Sequence, residues 1–536
     1  MERSISELLV DSISNQVDTV FGIPGTHTIY LYNEIRKASQ EKRIRHVMPR
    51  LEYGGSIMAD YYARLKENVG VFISVPGPGF TNALTGLAQA FTESSPLVLI
   101  SANKEIRYKE RRQLHDMYYF DAQLNIAREI TKATFRITSP EMVGKVMEKA
   151  FRLSLSDRQG PVYIEVPSDL LQLKGEGEPL RASVSGEMVY PKEGEVKAAS
   201  EFIKSCSKPL ILAGYGSQKA GRELLSFAEE LMIPVVTTIR GKGSLPEKHP
   251  LNLGILWDNI NLWEFDCLIA LGTSFNDIET FSWKINFPKR ILHVDVDENV
   301  FNKSVIAEVT VKGNLKVTLP RIAESVGKKF AFSALKKGKG EDLSGRGKIT
   351  HDLLSRVLDS NLGEDRIIIA DAGTNQVMAF DISVQRPNSY FNPLVFNAMS
   401  SSIPAAIGAK IAFPEREVVA IIGDMGFQGC MAELITAKEN NLNILVVLLE
   451  DGVQHILRLF QMTYHKSDFS TNVYPIDYSA LVTSLGIKVI SVERAEEMDY
   501  KVNTALDELK RGPVVLRVKI DPNSVPKRII MQMKFK

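Results

Sequence analysis

Cysteine is scarce, with three residues in 536: Cys206, Cys267 and Cys430. Three cannot build a disulfide framework or a cysteine-rich zinc site, and a reducing compartment is the natural setting. Long apolar runs are missing too. The longest, such as Ile444–Leu449, fall far short of the ~18 residues a membrane-spanning helix requires, so no membrane is expected as a partner. Charge of one sign is also lacking, because 65 Lys and Arg stand against 64 Asp and Glu for a net of +1. Without a basic field there is no general hold on nucleic acid. Glycine (36) and proline (24) are close to average, which excludes collagen-like and low-complexity chains. The first residues, MERSISELLVDSISN, pattern as an amphipathic helix rather than a signal peptide. A cytoplasmic globular protein is the expectation.

At ~150 residues per domain the length allows two to four domains. Short apolar runs alternate with longer amphipathic stretches, as βαβ units do. Such runs occur at Val20–Ile23, Arg45–Met48, Val69–Val75 and Leu97–Ser101, then at Pro209–Ala213, Pro234–Thr238, Cys267–Leu271 and Ile291–Val296. A third series comprises Arg366–Ala370, Val418–Ile422, Ile444–Glu450, Lys488–Ile490 and Val514–Val518. Polar stretches at Lys174–Glu195 and Lys328–Lys348 separate the series. The pattern predicts an α/β chain of three doubly wound domains with mostly parallel sheets, over residues 1–175, 190–328 and 348–536.

The most informative segment is Gly423-Asp424-Met425-Gly426-Phe427, directly after the apolar run VVAII. A helical stretch follows, then the strand ILVVLL ending at Glu450-Asp451-Gly452. The spacing fits one βαβ crossover, so both acids lie at carboxyl ends of parallel strands, where open α/β sheets bind ligands. Two acids and a diphosphate supply the oxygen ligands that Mg²⁺ prefers. This segment resembles the signature of thiamine-diphosphate (ThDP) enzymes, Gly-Asp-Gly followed some 26 residues later by Asn-Asn. The resemblance implies that Asp424, Asp451 and the carbonyl of Val453 hold Mg²⁺ on the diphosphate, with Met425 and Gly426 beside it. Met425 departs from the signature glycine, and Glu450-Asp451 from Asn-Asn. The second departure adds negative charge beside a diphosphate, which needs compensation from the metal or from nearby bases such as His455 and Arg458.

Other segments resemble the same family, in order along nearly the whole chain. RHVMPRLEYGGSIMADYYAR places Glu52 after a strand and at the start of a small-residue helix. There the family's glutamate hydrogen-bonds the cofactor's pyrimidine ring and promotes removal of the thiazolium C2 proton. Tyr61 replaces a glycine of that block. Ser74–Asn82 resembles a glycine-rich loop that lets backbone approach a ligand. Gly241–Pro250 resembles a central-domain run, and Asp371–Gln376 a block whose polar side chains, Thr374 and Asn375 here, touch the diphosphate. Met399 stands where the family places a bulky apolar residue under the bent cofactor. The resemblance thus implies a pyrimidine-binding domain, a central domain and a diphosphate-binding domain. It also implies sites between subunits of a homodimer or homotetramer.

Within the family the chain is most similar to the acetolactate-synthase-like branch. The implied reaction decarboxylates a 2-oxo acid, joins the remaining fragment to an acceptor carbonyl, or does both. His27, in Phe21-Gly-Ile-Pro-Gly-Thr-His-Thr28, and His115 are candidate catalytic proton carriers. The segment HDMYYFD stands where biosynthetic members carry Phe-Gln-Glu, and Leu457 where decarboxylases carry an acid, which points to a divergent paralogue. Two alternatives stay open. One is a ThDP-dependent lyase or hydrolase on a 2-hydroxyacyl thioester or a diketone, for which Lys104, Arg107, Lys109, Arg111 and Arg112 offer a basic cluster. The other is a non-catalytic paralogue that binds a nucleotide or a partner subunit. Gly214-Tyr-Gly216 is compatible with FAD, an adenine nucleotide or no ligand in the central domain.

Overall fold

Three six-stranded parallel sheets, each flanked by helices, make up the computed structural model, which describes residues 2–258, 262–331 and 347–530. The first sheet has the spatial order Arg45–Val47, Thr19–Gly22, Gly70–Ser74, Leu97–Asn103, Val162–Pro167, Ala133–Arg136. In the third sheet the order is Tyr390–Phe391, Arg366–Ala370, Glu417–Gly423, Ile444–Glu450, Val514–Lys519, Lys488–Val492. Numbered within each domain, both read 2-1-3-4-6-5, so the first and third sheets share one topology. The central sheet runs Asn252–Ile255, Val235–Thr237, Pro209–Ala213, Cys267–Leu271, Arg290–Asp295, Val309–Lys312. That is the 3-2-1-4-5-6 order of doubly wound sheets. The linker Lys328–Lys348 falls largely outside the described residues.

The central strands of the outer sheets are buried on both faces, as parallel strands covered by helices must be. Val418–Ile422 and Ile444–Leu448 are wholly buried, which explains why they read as continuous apolar runs. The opening segment does form a helix, Ile5–Ser14, capped by Ser4 and Glu7 in a reciprocal capping box. The cysteine expectation needs correction. Cys206, at the end of the helix Glu193–Ser205, is joined to Cys267, the first residue of its strand, across 61 residues of sequence. A residue count could not show that the central fold brings their Cα atoms to 6.0 Å. Cys430 is free and buried.

The outer domains share one core through two helices rich in small residues, Glu52–Lys66 and Ser402–Ala412. Gly408 on the second helix lets its backbone close on the first, while Gly54 makes room for the Glu433 side chain and Gly55 for Phe72 and Pro49. A Cβ at Gly408 would lie 2.2 Å from the Met58 carbonyl oxygen. Tyr61 is fully buried at this junction, edge-on to Phe391 with the Arg64 guanidinium over its ring. Arg64 is itself held by both carboxylate oxygens of buried Asp60, at 2.8 and 2.7 Å. Gly408→Ala should therefore destabilise the chain by about 1–3 kcal/mol through overpacking, although alanine is the better helix former by about 1 kcal/mol. The denaturation midpoint relative to wild type checks this, and a raised midpoint would contradict the close packing.

Candidate active site

Strand order reverses in the first sheet between Thr19–Gly22 and Gly70–Ser74, and the loops leaving the carboxyl ends there form a crevice. The first loop carries His27 in the turn Thr26–Thr28, and the second carries Gly77-Pro78-Gly79. Glu52 opens its helix beside them. Its Oε2 accepts a hydrogen bond from Asn82 Nδ2 at 3.2 Å, and its Oε1 would lie 3.3 Å from a Cβ at Gly79. Gly77 sits at φ +60°, with room for a Cβ closed by the His115 carbonyl oxygen 2.5 Å away. Glycine is required there on both counts. The backbone of this one loop thus touches the Glu52 carboxylate on one side and the His115 segment on the other.

His27 and His115 face each other with ring centroids 5.1 Å apart. Burial, and then the neighbouring His115, hold the His27 imidazole below its ordinary 6.5, against the opposing pull of Glu105 and the Leu114 carbonyl. His115 Nδ1 is buried without a hydrogen-bond partner. Asp116, adjacent in sequence, does not orient that ring. It pairs instead with Lys104 at 2.8 Å and Arg112 at 3.1 Å. Arg107 pairs with Glu105, so much of the basic cluster is neutralised internally. Tyr118 and Tyr119 stand on the surface rather than in the core.

At the corresponding crevice of the third sheet, Asp371 is the organiser. Its carboxylate accepts backbone N–H bonds from Ala372, Ser400 and Ser402, each at 2.9 Å. That fixes the turn presenting Met399, whose side chain is half exposed and whose carbonyl accepts from Tyr53 Oη at 2.6 Å. Thr374 and Asn375 are buried at the start of a short helix, and Asn375 Nδ2 braces the Asp371 carbonyl at 2.8 Å. Asp424 follows the next strand and begins the helix Asp424–Cys430. Met425 has an ordinary negative φ within it, so the missing glycine costs the backbone nothing. Gly426 packs tightly, 3.1 Å from Ile422 if given a Cβ.

The acids lie together. Asp424 accepts from Gly452 N and Met425 N at 2.8 Å each. Burial first, then the charges of Asp451 and Glu450, push its carboxyl up to about 6. Asp451 accepts from Val453 N at 3.1 Å and lies 3.1 Å from His455 Nδ1. Glu450 pairs with Arg517, which also holds Glu493 at 2.6 Å. Of the bases expected to balance these acids, His455 lies beside Asp451, whereas Arg458 turns to Asp468. Arg517 lies on a neighbouring strand 67 residues on, and sequence reading missed it. Gly452, at φ +73°, makes the turn between Asp451 and Val453. Its carbonyl and the Gln454 amide pair with residues 471–473, a bridge that does not use the Val453 carbonyl.

A second residue missed from sequence is Glu433. Its buried carboxylate accepts the backbone N–H groups of Arg50 and Leu51 at 3.1 Å, immediately ahead of Glu52. The third domain thereby holds the segment that presents Glu52.

At the switch point of the central sheet lies a separate cleft of about 500 Å³, lined by Tyr215, Lys219, Arg240 and Asp295 among others. Gly216 and Gly272 are spent on packing two strand-end loops together, since a Cβ at Gly216 would lie 2.8 Å from Gly272 Cα.

Comparison with known proteins agrees with this arrangement. Residues 3–125 match the N-terminal TPP binding domain of thiamine pyrophosphate enzymes, residues 196–322 their central domain and residues 371–518 their C-terminal TPP binding domain. The acetolactate synthase large subunit of Buchnera aphidicola is 29% identical over 96% of this chain and 94% of that protein. A probable acetolactate synthase large subunit of Methanocaldococcus jannaschii is 30% identical over 94% of this chain and 90% of its own. The isozyme 2 large subunit of Escherichia coli is 29% identical over 94% and 93%. With three matched domains, two crevices at strand carboxyl ends and relatives spanning nearly its full length, the chain belongs to the thiamine pyrophosphate enzymes, as an enzyme of the acetolactate-synthase type.

Proposed function

We propose that the chain decarboxylates a 2-oxo acid with ThDP and Mg²⁺ and joins the remaining fragment to an acceptor carbonyl. The observation that carries this is Glu52, held by Asn82 against a glycine loop at the carboxyl end of the first sheet, where a proton-sharing carboxyl is needed. When bound, ThDP supplies the nucleophilic carbon and the electron sink for decarboxylation. Asp424, Asp451 and the Val453 carbonyl form an all-oxygen donor set that suits Mg²⁺, and the raised carboxyl of Asp424 marks a place short of positive charge. Thr374, Asn375, Met425 and Gly426 would border the diphosphate, and the exposed side chain of Met399 would pack against the cofactor. His27, whose imidazole is held below its ordinary value, and His115 carry protons at the substrate. The acids that replace Asn-Asn do not exclude a diphosphate, because Arg517 and His455 face them.

A second copy completes the site in this reading. Large apolar side chains stand exposed at both crevices, among them Ile29, Leu51, Met399, Met425 and Leu457. Exposure on this scale marks an interaction surface. A homodimer or homotetramer would cover it, placing the first domain of one subunit against the third of another. No helix among the described residues is long and apolar enough to cross a membrane. The internal pairing of Lys104, Arg107 and Arg112 disfavours a thioester substrate with a nucleotide tail.

The purified chain, given ThDP, Mg²⁺ and a panel of short 2-oxo acids, should release CO₂ and form a hydroxyketone or acetohydroxy acid. Binding of ThDP with no CO₂ release from any of them would overturn the reaction assignment. Arg517→Met should weaken Mg²⁺–ThDP binding by at least about tenfold, since it leaves Glu450 unbalanced beside the metal ligands. Adding Glu450→Gln to that variant should restore most of the loss, as titration calorimetry would show. If neutral His27 is the working form, activity persists above its pKa and falls below it. The acid limb of kcat/KM then lies below pH 6.5. His115→Gln, by removing a neighbour that lowers the His27 pKa, should move that limb to higher pH.

A further inference from the structure

His351 looks incidental in the sequence, yet it is almost completely buried, its ring centroid 5.2 Å from that of His455. Three strand-end segments are stitched together at this point. Ile520 N donates to the Glu450 carbonyl and Asp521 N to the Ile349 carbonyl, each at 2.9 Å. His351 is further fixed by Ser524, whose Oγ lies 3.0 Å from its Nδ1 and accepts its backbone N–H at 3.1 Å. His455 is also buried, and its Nδ1 has no hydrogen-bond partner although Asp451 Oδ2 is 3.1 Å away. One ring nitrogen from each histidine and one carboxylate oxygen of Asp451 all lie within 4.8 Å of one another. A buried ring nitrogen without a hydrogen bond, 3.1 Å from a carboxylate oxygen and near a second imidazole, calls for a shared partner.

We propose that His351, Asp451 and His455 form a binding site for a divalent transition-metal ion such as Zn²⁺ or Co²⁺. Two imidazoles and a carboxylate are the donors such ions favour, whereas Mg²⁺ seeks oxygen alone. Ser524 acts as the outer partner that orients one ring, as ligating histidines require. Among the described residues the other cluster of this kind, Cys206, Asp266 and Cys267, has its two sulfurs joined to each other and does not compete. Asp451 is common to this site and to the proposed Mg²⁺ site, so a transition ion held here withdraws a ligand from the diphosphate's metal. The inference does not depend on ThDP, and its test is made without it.

The full chain, free of ThDP and Mg²⁺, is titrated with Co²⁺ and followed by its visible absorption. Wild type should take up a single ion per chain, with the spectrum of a nitrogen–oxygen site. His455→Gln and His351→Gln should each weaken binding by about tenfold or more. Asp424→Asn, which leaves all three donors in place, should keep it. Thermal unfolding with and without Zn²⁺ provides a second readout. The ion should raise the midpoint of wild type and not of His455→Gln, whose midpoint in the absence of metal reports whether the variant is folded. Equal Co²⁺ binding in wild type and both histidine variants would overturn the proposal. So would loss of binding in Asp424→Asn alone, which would place the ion with the oxygen donors. ThDP binding measured separately on wild type decides the reading of the previous subsection whichever way the cobalt titration falls.

Discussion

The close contact between the helices Glu52–Lys66 and Ser402–Ala412 is the constraint from which the rest of the structure follows. Gly408 brings backbone against backbone, lying over the Met58 carbonyl. The first and third sheets consequently share a single apolar cluster. The same contact fixes the start of the Glu52 helix, because Glu433 of the third domain grips the amides of Arg50 and Leu51, and Tyr53 reaches the Met399 carbonyl. A carboxylate at a helix start would ordinarily owe its place to the local turn. Here its position is set by a domain some 380 residues further along the chain.

A second constraint is electrostatic. Asp424, Glu450 and Asp451 converge on one end of the third sheet, and burial makes each uncompensated charge expensive. The fold answers within the protein: Arg517 neutralises Glu450, backbone amides satisfy Asp424, and His455 stands beside Asp451. What is left over is Asp424, a buried acid whose carboxyl is raised to about 6. Of the two acids that stand where the family carries paired asparagines, Glu450 is thus paired with Arg517, and Asp451 lies beside His455.

Much of this was legible in the sequence, for a physical reason. Strands buried on both faces must be apolar throughout, and strands such as Pro209–Ala213, Arg366–Ala370 and Ile444–Glu450 were readable to the residue. The glycine-bearing loops at their carboxyl ends marked where ligands approach. Less legible were the short edge strands, Asn252–Ile255 and Tyr390–Phe391, which carry too few apolar residues to stand out. Partners distant in sequence were invisible. Arg517, Glu433 and His351 have no local signature, since each matters only through a residue that the fold brings beside it. The same holds for the bond between Cys206 and Cys267, which neither spacing nor count suggested.

In the proposed reaction everything depends on Glu52 sharing a proton with the bound cofactor, and the most direct test needs no substrate. The rate of hydrogen–deuterium exchange at C2 of ThDP, bound with Mg²⁺, is measured in wild type and in Glu52→Gln. Rapid exchange in wild type, slowed by about two orders of magnitude or more in the variant, is the predicted result. Exchange that is slow in wild type, or equally fast in both, would contradict it.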